Sequence, residues 1–234
     1  MTRRLIDTVL MEFEGILADT APARRDALLL VCREDGIDLS PAEYRESCAG
    51  LATPDAVRGA LARRGVSIDD TALELLTLRI DRAVSAHVGK GIVLVDGARE
   101  AVERLAARAR LGIVSRSSRR DVEFVLSLAQ MEHAFACVIG IEDAFPGKPG
   151  AAPYLAAIRR LERRGPVPPE GIVVALEDTI GGIQGARAAG LRCIAVGDLP
   201  AHVAMEADAV IPAITGLDVA TIETLIAREG ERFA

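Results

Sequence analysis

Apolar positions along the chain gather in short β-branched runs, set apart by longer stretches that carry a single apolar stripe. The runs lie at residues 8–13, 111–114, 137–139, 172–176 and 192–196. They are nearly continuous in hydrophobicity instead of alternating, as in strands covered on both faces. Between them, Ala98, Val102, Leu105, Ala106 and Ala109 recur at helical spacing, and so do Val122, Val125, Leu126 and Ala129. Strand following helix following strand predicts an α/β fold built on a doubly wound parallel sheet.

Residues 16–89 break the alternation. They offer no convincing strand and four helices: one near 22–34, one opened by the Ser40-Pro41 signal, one near 54–64, and a long one after Ser67. In the long helix Leu73, Leu76, Ile80 and Val84 mark a buried face. The simplest organisation is a sheet domain made of residues 1–15 and 90–234, with an all-helical domain of residues 16–89 inserted after the first strand. A last helix near 218–228 carries no readable chemistry, and the final residues are expected to fray.

Composition narrows the function classes. The chain has 234 residues, 50% hydrophobic and 26% charged, the balance of a soluble globular protein. A net charge of −6 opposes binding to nucleic acid or to an anionic membrane surface. No apolar run approaches the ~18–20 residues of a membrane span. The arginines near the start resemble those of a signal, but Asp7 and Glu12 interrupt any apolar segment after them. Cys32, Cys48, Cys137 and Cys193 form no C-x-x-C pair and read as buried thiols of a reducing, cytoplasmic compartment. Of the 28 basic residues only Lys90 and Lys148 are lysines, so arginine is the default cation here.

In an open parallel sheet, ligands bind beyond the carboxyl ends of the strands. The first strand is followed by Glu12-Phe13-Glu14-Gly15 and the second by Ser115-Arg116-Ser117-Ser118. Gly147-Lys148-Pro149 comes a little after the third, and Glu177-Asp178-Thr179 follows the fourth. Each fragment has a bland reading too. Ser115 and the Glu177-Asp178 pair could cap the helices that follow them. Lys148 could be a surface charge, although its rarity argues for a compact ammonium placed deliberately. Arg24 and Arg25 could meet an anionic substrate or form a solvated helix face.

Taken in order, these fragments resemble the haloacid dehalogenase superfamily, in its phosphatase branch with an inserted helical cap (phosphoglycolate phosphatase and β-phosphoglucomutase-like). Residues 12–20 match its first motif, Ser115 its second, and Lys148-Pro149 its third. Glu177-Asp178-Thr179 with Gly182 and Ala188-Ala189-Gly190 match its fourth, the most specific fragment. The chain departs from the pattern at the first motif, where both aspartates are glutamates. The resemblance implies that Glu12 is the nucleophile, Glu14 the general acid and base, and Ser115 and Lys148 the phosphate-handling groups. Ser115, Arg116, Lys148 and Arg24 would bind substrate. Glutamate extends each carboxylate by one methylene, roughly 1.5 Å, and a misplacement of about 1 Å can cost on the order of 100-fold in rate. Glu12 therefore suits a ligand better than a nucleophile.

Glu12, Glu14, Glu177 and Asp178 would crowd negative charge that Lys148 alone cannot offset. Oxygen donors of this kind, with a phosphate partner, describe a Mg²⁺ site. The resemblance implies Mg²⁺-dependent hydrolysis of a small phosphorylated metabolite, of phosphoglycolate or sugar-phosphate type, under a cap that excludes water. Glu14 argues against the dehalogenase branch, which lacks an acid there. The absence of lysine before Lys90 argues against the phosphonate-cleaving branch. The mutases have a histidine where Arg24 stands, and an arginine after the cap glycine where Thr53 follows Gly50. The rival reading is a catalytically inactive protein of the same fold that binds a phosphorylated metabolite or a protein partner. A receiver-like signalling domain fits less well, since the helical insertion has no place in it. A monomer or a homodimer is expected.

Overall fold

The computed structural model describes residues 5–48, 51, 53–88, 93–168 and 171–230. Gly50, Lys90, the expected return of the chain at 89/90 and the fraying expected of the last residues, 231–234, lie outside them. In chain order the elements are β1 (Leu5–Met11), β2 (Ala18–Asp19), α1 (Ala21–Glu34), α2 (Pro41–Ser47), α3 (Thr53–Ala62) and α4 (Asp70–Val88). There follow β3 (Val93–Leu94), α5 (Ala98–Ala106), β4 (Arg110–Val114), α6 (Arg119–Leu128), β5 (Phe135–Ile139) and α7 (Ala152–Glu162). The chain ends with β6 (Gly171–Glu177), α8 (Ile180–Ala188), β7 (Arg192–Val196), α9 (Ala201–Ala204), β8 (Ala209–Ile211) and α10 (Val219–Gly230).

Six strands form one parallel sheet in the order β5-β4-β1-β6-β7-β8. The central strand, β1, has β4 on one side and β6 on the other, so the order of the chain reverses across it. Val9, Leu10 and Met11 of β1 and Val174, Ala175 and Leu176 of β6 are buried, which is why these strands read as unbroken apolar runs. The predicted stripes behave alike: Ala98, Val102 and Leu105 of α5 and Val122, Val125 and Leu126 of α6 are buried. Ala106 is exposed and Ala129 only half-buried, since both lie past the last full turn of their stripes.

The chain divides into two compact units, Met1–Asp19 with Val93–Ala234, and Thr20–Ile92. In the helical unit Leu73, Ile80 and Val84 of α4 are buried and Leu76 half-buried. Ser40 opens α2 with a capping box, its hydroxyl accepting from the Glu43 N–H and the Glu43 carboxylate accepting from the Ser40 N–H.

Several elements differ from expectation. β1 ends at Met11, short of residue 13, because the Phe13 carbonyl accepts from the N–H groups of Leu17 and Ala18 in a tight turn. That turn leads into β2, which pairs antiparallel with β3 at the two ends of the insertion, where no strand is predicted. Helix α7 is hidden in sequence by the prolines and glycines before it. Pro153 sits in its first turn, where a missing N–H costs nothing, and Tyr154, Ala157 and Leu161 form its buried face. Among the described residues no helix is long and apolar enough to cross a membrane.

Candidate active site

The reversal of strand order at β1 opens a crevice at the carboxyl ends of β1, β4 and β6, the place where such sheets bind ligands. Glu12 stands one residue beyond β1, with its N–H still bonded to the Leu176 carbonyl of β6 at 3.0 Å. Ser115 is one residue beyond β4, and Glu177 is the last residue of β6. Lys148 arrives from the connection between β5 and α7. Its ammonium donates to Glu12 Oε2 at 2.7 Å, to Glu177 Oε1 at 2.6 Å and to the Val114 carbonyl at 2.7 Å. An ammonium has three N–H bonds, so all are engaged. Its side chain is only 3% exposed, which rules out the surface-charge reading. The ammonium also lies 5.3 Å from the centre of the Tyr154 ring, within cation–π range.

The two glutamates beside Lys148 titrate in opposite directions, for a geometric reason. Burial works against the charge of Glu12. The Lys148 ammonium, the Ser115 hydroxyl and the Phe13 N–H together outweigh it and hold the carboxyl below its ordinary value. Both oxygens are bonded, Oε1 to the Phe13 N–H at 2.7 Å and Oε2 to Lys148. In Glu177 burial prevails and pushes the carboxyl up to about 7, although Lys148 pulls the other way. Its Oε1 is shared between Lys148 and the Tyr154 hydroxyl, while Oε2 is buried and has no partner among the described residues. That oxygen packs on Gly182, where an added Cβ would sit 1.7 Å from it. Lys148 itself is raised: burial opposes its charge, and Glu12 and Glu177 overcome that.

Asp178 is pushed up to about 7 by burial and then by the charges of Glu12 and Glu177, with Lys148 and Arg116 opposing less strongly. Its carboxylate lies over the turn after β1. Gly15 has the left-handed φ of +76°, and a Cβ there would meet Asp178 Oδ2 at 2.0 Å, so only glycine lets the acid approach. Glu14 receives the Ser117 hydroxyl on Oε1. Arg116, between Ser115 and Ser117, is exposed. The capping roles go to neighbours: Ser118 caps α6 through the Asp121 N–H, and Thr179 caps α8 through the Gly182 N–H. Ser115 and Asp178 are thereby left for the crevice.

Arg24 belongs to the helical unit, on α1, where it donates to the Thr53 hydroxyl at 2.9 Å and faces Asp81 at 3.9 Å. The two positions at which the chain departs from the mutase pattern thus hold each other. Arg25 pairs with its neighbour Asp26.

The expected cage of Glu12, Glu14, Glu177 and Asp178 is not assembled. Among the described residues no three acidic, histidine or cysteine side chains converge as a metal-holding group. Glu177 turns inward to Lys148, Tyr154 and Gly182, and Glu14 reaches Ser117. Glu12 and Asp178 remain as carboxylate donors at the strand ends. Mg²⁺ commonly takes one or two carboxylates and keeps several waters, so this smaller set suits it. Asp178 supports the fit: burial and two neighbouring acids oppose its ionisation, and no cation pairs with it among the described residues.

Two contributors escaped the sequence reading. Tyr154 is fully buried beneath Lys148, and its hydroxyl bonds both Glu177 and the Gly182 carbonyl, at 2.9 Å for the latter. Its one signal is scarcity, since the chain has only two tyrosines. Ser117 had none, because its role depends on the extra reach of Glu14.

The chain is similar to several known proteins. Protein CbbY of Cereibacter sphaeroides is 30% identical over 202 residues, covering 81% of this chain and 84% of that protein. The bifunctional riboflavin kinase/FMN phosphatase of Arabidopsis thaliana is 32% identical over 104 residues, and the match spans only 26% of its length. The solved structure of CbbY from Rhodobacter sphaeroides in complex with phosphate superposes with a TM-score of 0.68 at 25% identity, covering 91% of this chain and 96% of that one. The Haloacid dehalogenase-like hydrolase family profile matches residues 9–196, the span that holds every strand-end acid and the lysine, and the chain belongs to that family.

Proposed function

We propose that the chain hydrolyses the phosphate monoester of a small metabolite, of phosphoglycolate or sugar-phosphate type, with Mg²⁺ as cofactor. One observation carries this reading: a buried ammonium from a distant loop is clamped between acids at the ends of β1 and β6. A structural ion pair would need one carboxylate. Two acids on one lysine, with a third beside them, make a site prepared for an anion plus a hard cation.

Glu12 would attack phosphorus in line, forming a bond from its carboxylate oxygen while the ester P–O bond breaks. Glu14, aligned by Ser117, would give its proton to the departing alkoxide. Glu14 would then take a proton from water as that water attacks phosphorus, releasing inorganic phosphate and the free Glu12 carboxylate. Ser115 would donate to the transferring group's oxygens, and Lys148, whose N–H bonds are engaged, would act on them through its charge. Bound Mg²⁺, held by Glu12 and Asp178, would supply neutralising charge to the phosphoryl oxygens. The relative solved with phosphate supports the ligand class.

A second reading, binding without turnover, is favoured by one specific feature. Both Glu12 oxygens are engaged, by the Phe13 N–H and by Lys148, on a side chain one methylene longer than the family's aspartate. Purified protein incubated with a panel of phosphomonoesters and Mg²⁺, beside Glu12→Gln, separates the two. Phosphate release that Glu12→Gln abolishes supports hydrolysis. An inert wild type that still binds inorganic phosphate supports the second reading.

A further inference from the structure

Resting on the phosphate-ester reading, we propose that Tyr154 is a positioning residue. Its hydroxyl holds the Glu177 carboxylate and thereby keeps the Lys148 ammonium against Glu12, where a phosphoryl group would arrive. The three partners of that ammonium are not equally fixed. Val114 offers a main-chain carbonyl at the end of β4. Glu12 is tied through its other oxygen to the Phe13 N–H at 2.7 Å. Glu177 is the exception. Its Oε2 has no partner among the described residues, so the contacts at Oε1, from Lys148 and Tyr154, orient the carboxylate.

Tyr154 is built into its place. The Gly150 N–H and the Gly147 carbonyl close a turn at 2.8 Å around Lys148, and the chain then enters α7. Lys148 and Tyr154, neighbours on one connection, so meet at a single carboxylate oxygen. The ring is fully buried, 5.3 Å from the ammonium. Gly185 of α8 lies behind it, where an added Cβ would come within 3.0 Å of the ring. The hydroxyl also stands 2.9 Å from the Gly182 carbonyl on the same helix. A packing role alone would be met by phenylalanine, so the hydroxyl needs its own reason. An ammonium between two acids shifts toward the one that attracts it more. By donating to Glu177 Oε1, the hydroxyl takes up part of that oxygen's accepting capacity, and Glu177 pulls less on Lys148. Without the hydroxyl, Lys148 is the one donor left to that carboxylate among the described residues, and it is drawn away from Glu12.

The test reads Lys148 directly. Lys90 and Lys148 are the chain's two lysines, so protein labelled with ¹⁵N-lysine gives at most two ammonium signals, told apart by Lys90→Arg. Tyr154→Phe keeps the ring and removes the hydroxyl. It is expected to displace the Lys148 signal in the unliganded protein. With Mg²⁺ present it should raise Kd for inorganic phosphate about 10-fold by calorimetry, the usual worth of a hydrogen bond to a charged group. Where a phosphomonoester turns over, kcat/KM should fall by a similar factor. An unmoved Lys148 signal, or a Kd within about 2-fold of wild type, overturns the proposal however far the melting temperature falls. If Tyr154→Phe does not fold, the double variant with Glu177→Gln removes the buried carboxylate that folding must satisfy. Loss of the hydroxyl should then add less than about 2-fold to Glu177→Gln alone, and independent losses overturn the proposal. A wild type that binds no inorganic phosphate removes the phosphate-ester reading, while the Lys148 signal still reports whether Tyr154 places the ammonium.

Discussion

Glu12 has a carboxylate whose two oxygens are already bonded, on a side chain one methylene longer than the aspartate of the family motif. Withdrawing the carboxylate by one methylene in Glu12→Asp should free it from the Phe13 N–H and restore the shorter reach of the family motif. The expected result is a gain of about 10-fold or more in kcat/KM toward small phosphomonoesters, checked by phosphate release. No gain would favour the binding reading. At Lys148 the consequence is stability. Lys148→Met leaves Glu12 and Glu177 buried without their cation, and an unpaired buried charge costs about 3–5 kcal/mol, read by urea unfolding. Gly182→Ala should displace the Glu177 carboxylate, since the new methyl would sit 1.7 Å from Oε2.

The elements hold these residues through caps and pairings that local sequence encodes. The Ser118 hydroxyl accepts from the Asp121 N–H at the start of α6, so Ser118→Ala should cost about 1 kcal/mol in thermal or denaturant unfolding. In the helical unit the Glu43 carboxylate closes the capping box and meets Arg64, and the Ser40 N–H first, then Arg64, hold its pKa down near about 2. A depressed carboxyl stabilises the fold at pH above its unfolded value of 4.5, and that contribution is lost as pH falls toward the folded value. Glu43→Gln should therefore melt lower than wild type at pH 7, and the gap should close between pH 4.5 and about 2. The capping box was legible because its signals are adjacent in sequence. Helix α7 was not, because prolines and glycines before it mask a periodicity that only packing against β4 and β5 supports.

For the whole molecule, the question is how one sheet gathers acids that would otherwise repel. Mg²⁺ bound by Glu12 and Asp178 should raise the melting temperature by mass action, up to about 2.7 kcal/mol at a hundredfold excess over Kd. Asp178→Asn should erase that rise, and equal melting curves with and without millimolar Mg²⁺ would argue against the metal. The order of apolar runs settled the parallel sheet and the helical insertion, because burial on both faces leaves a continuous hydrophobic signature. The strand-end acids and the rare lysine were likewise visible, since a sheet of this kind places functional side chains just beyond its strands. Partnership was not visible. Glu12 and Glu177 are 165 positions apart in a chain of 234 residues, and only the pairing of β1 with β6 makes them share an ammonium. The inward turn of Glu177 and the Ser117 bond to Glu14 follow from side-chain distances. Sequence fixes which groups can ionise; folding sets which charges are neighbours, and neighbouring charges decide the chemistry.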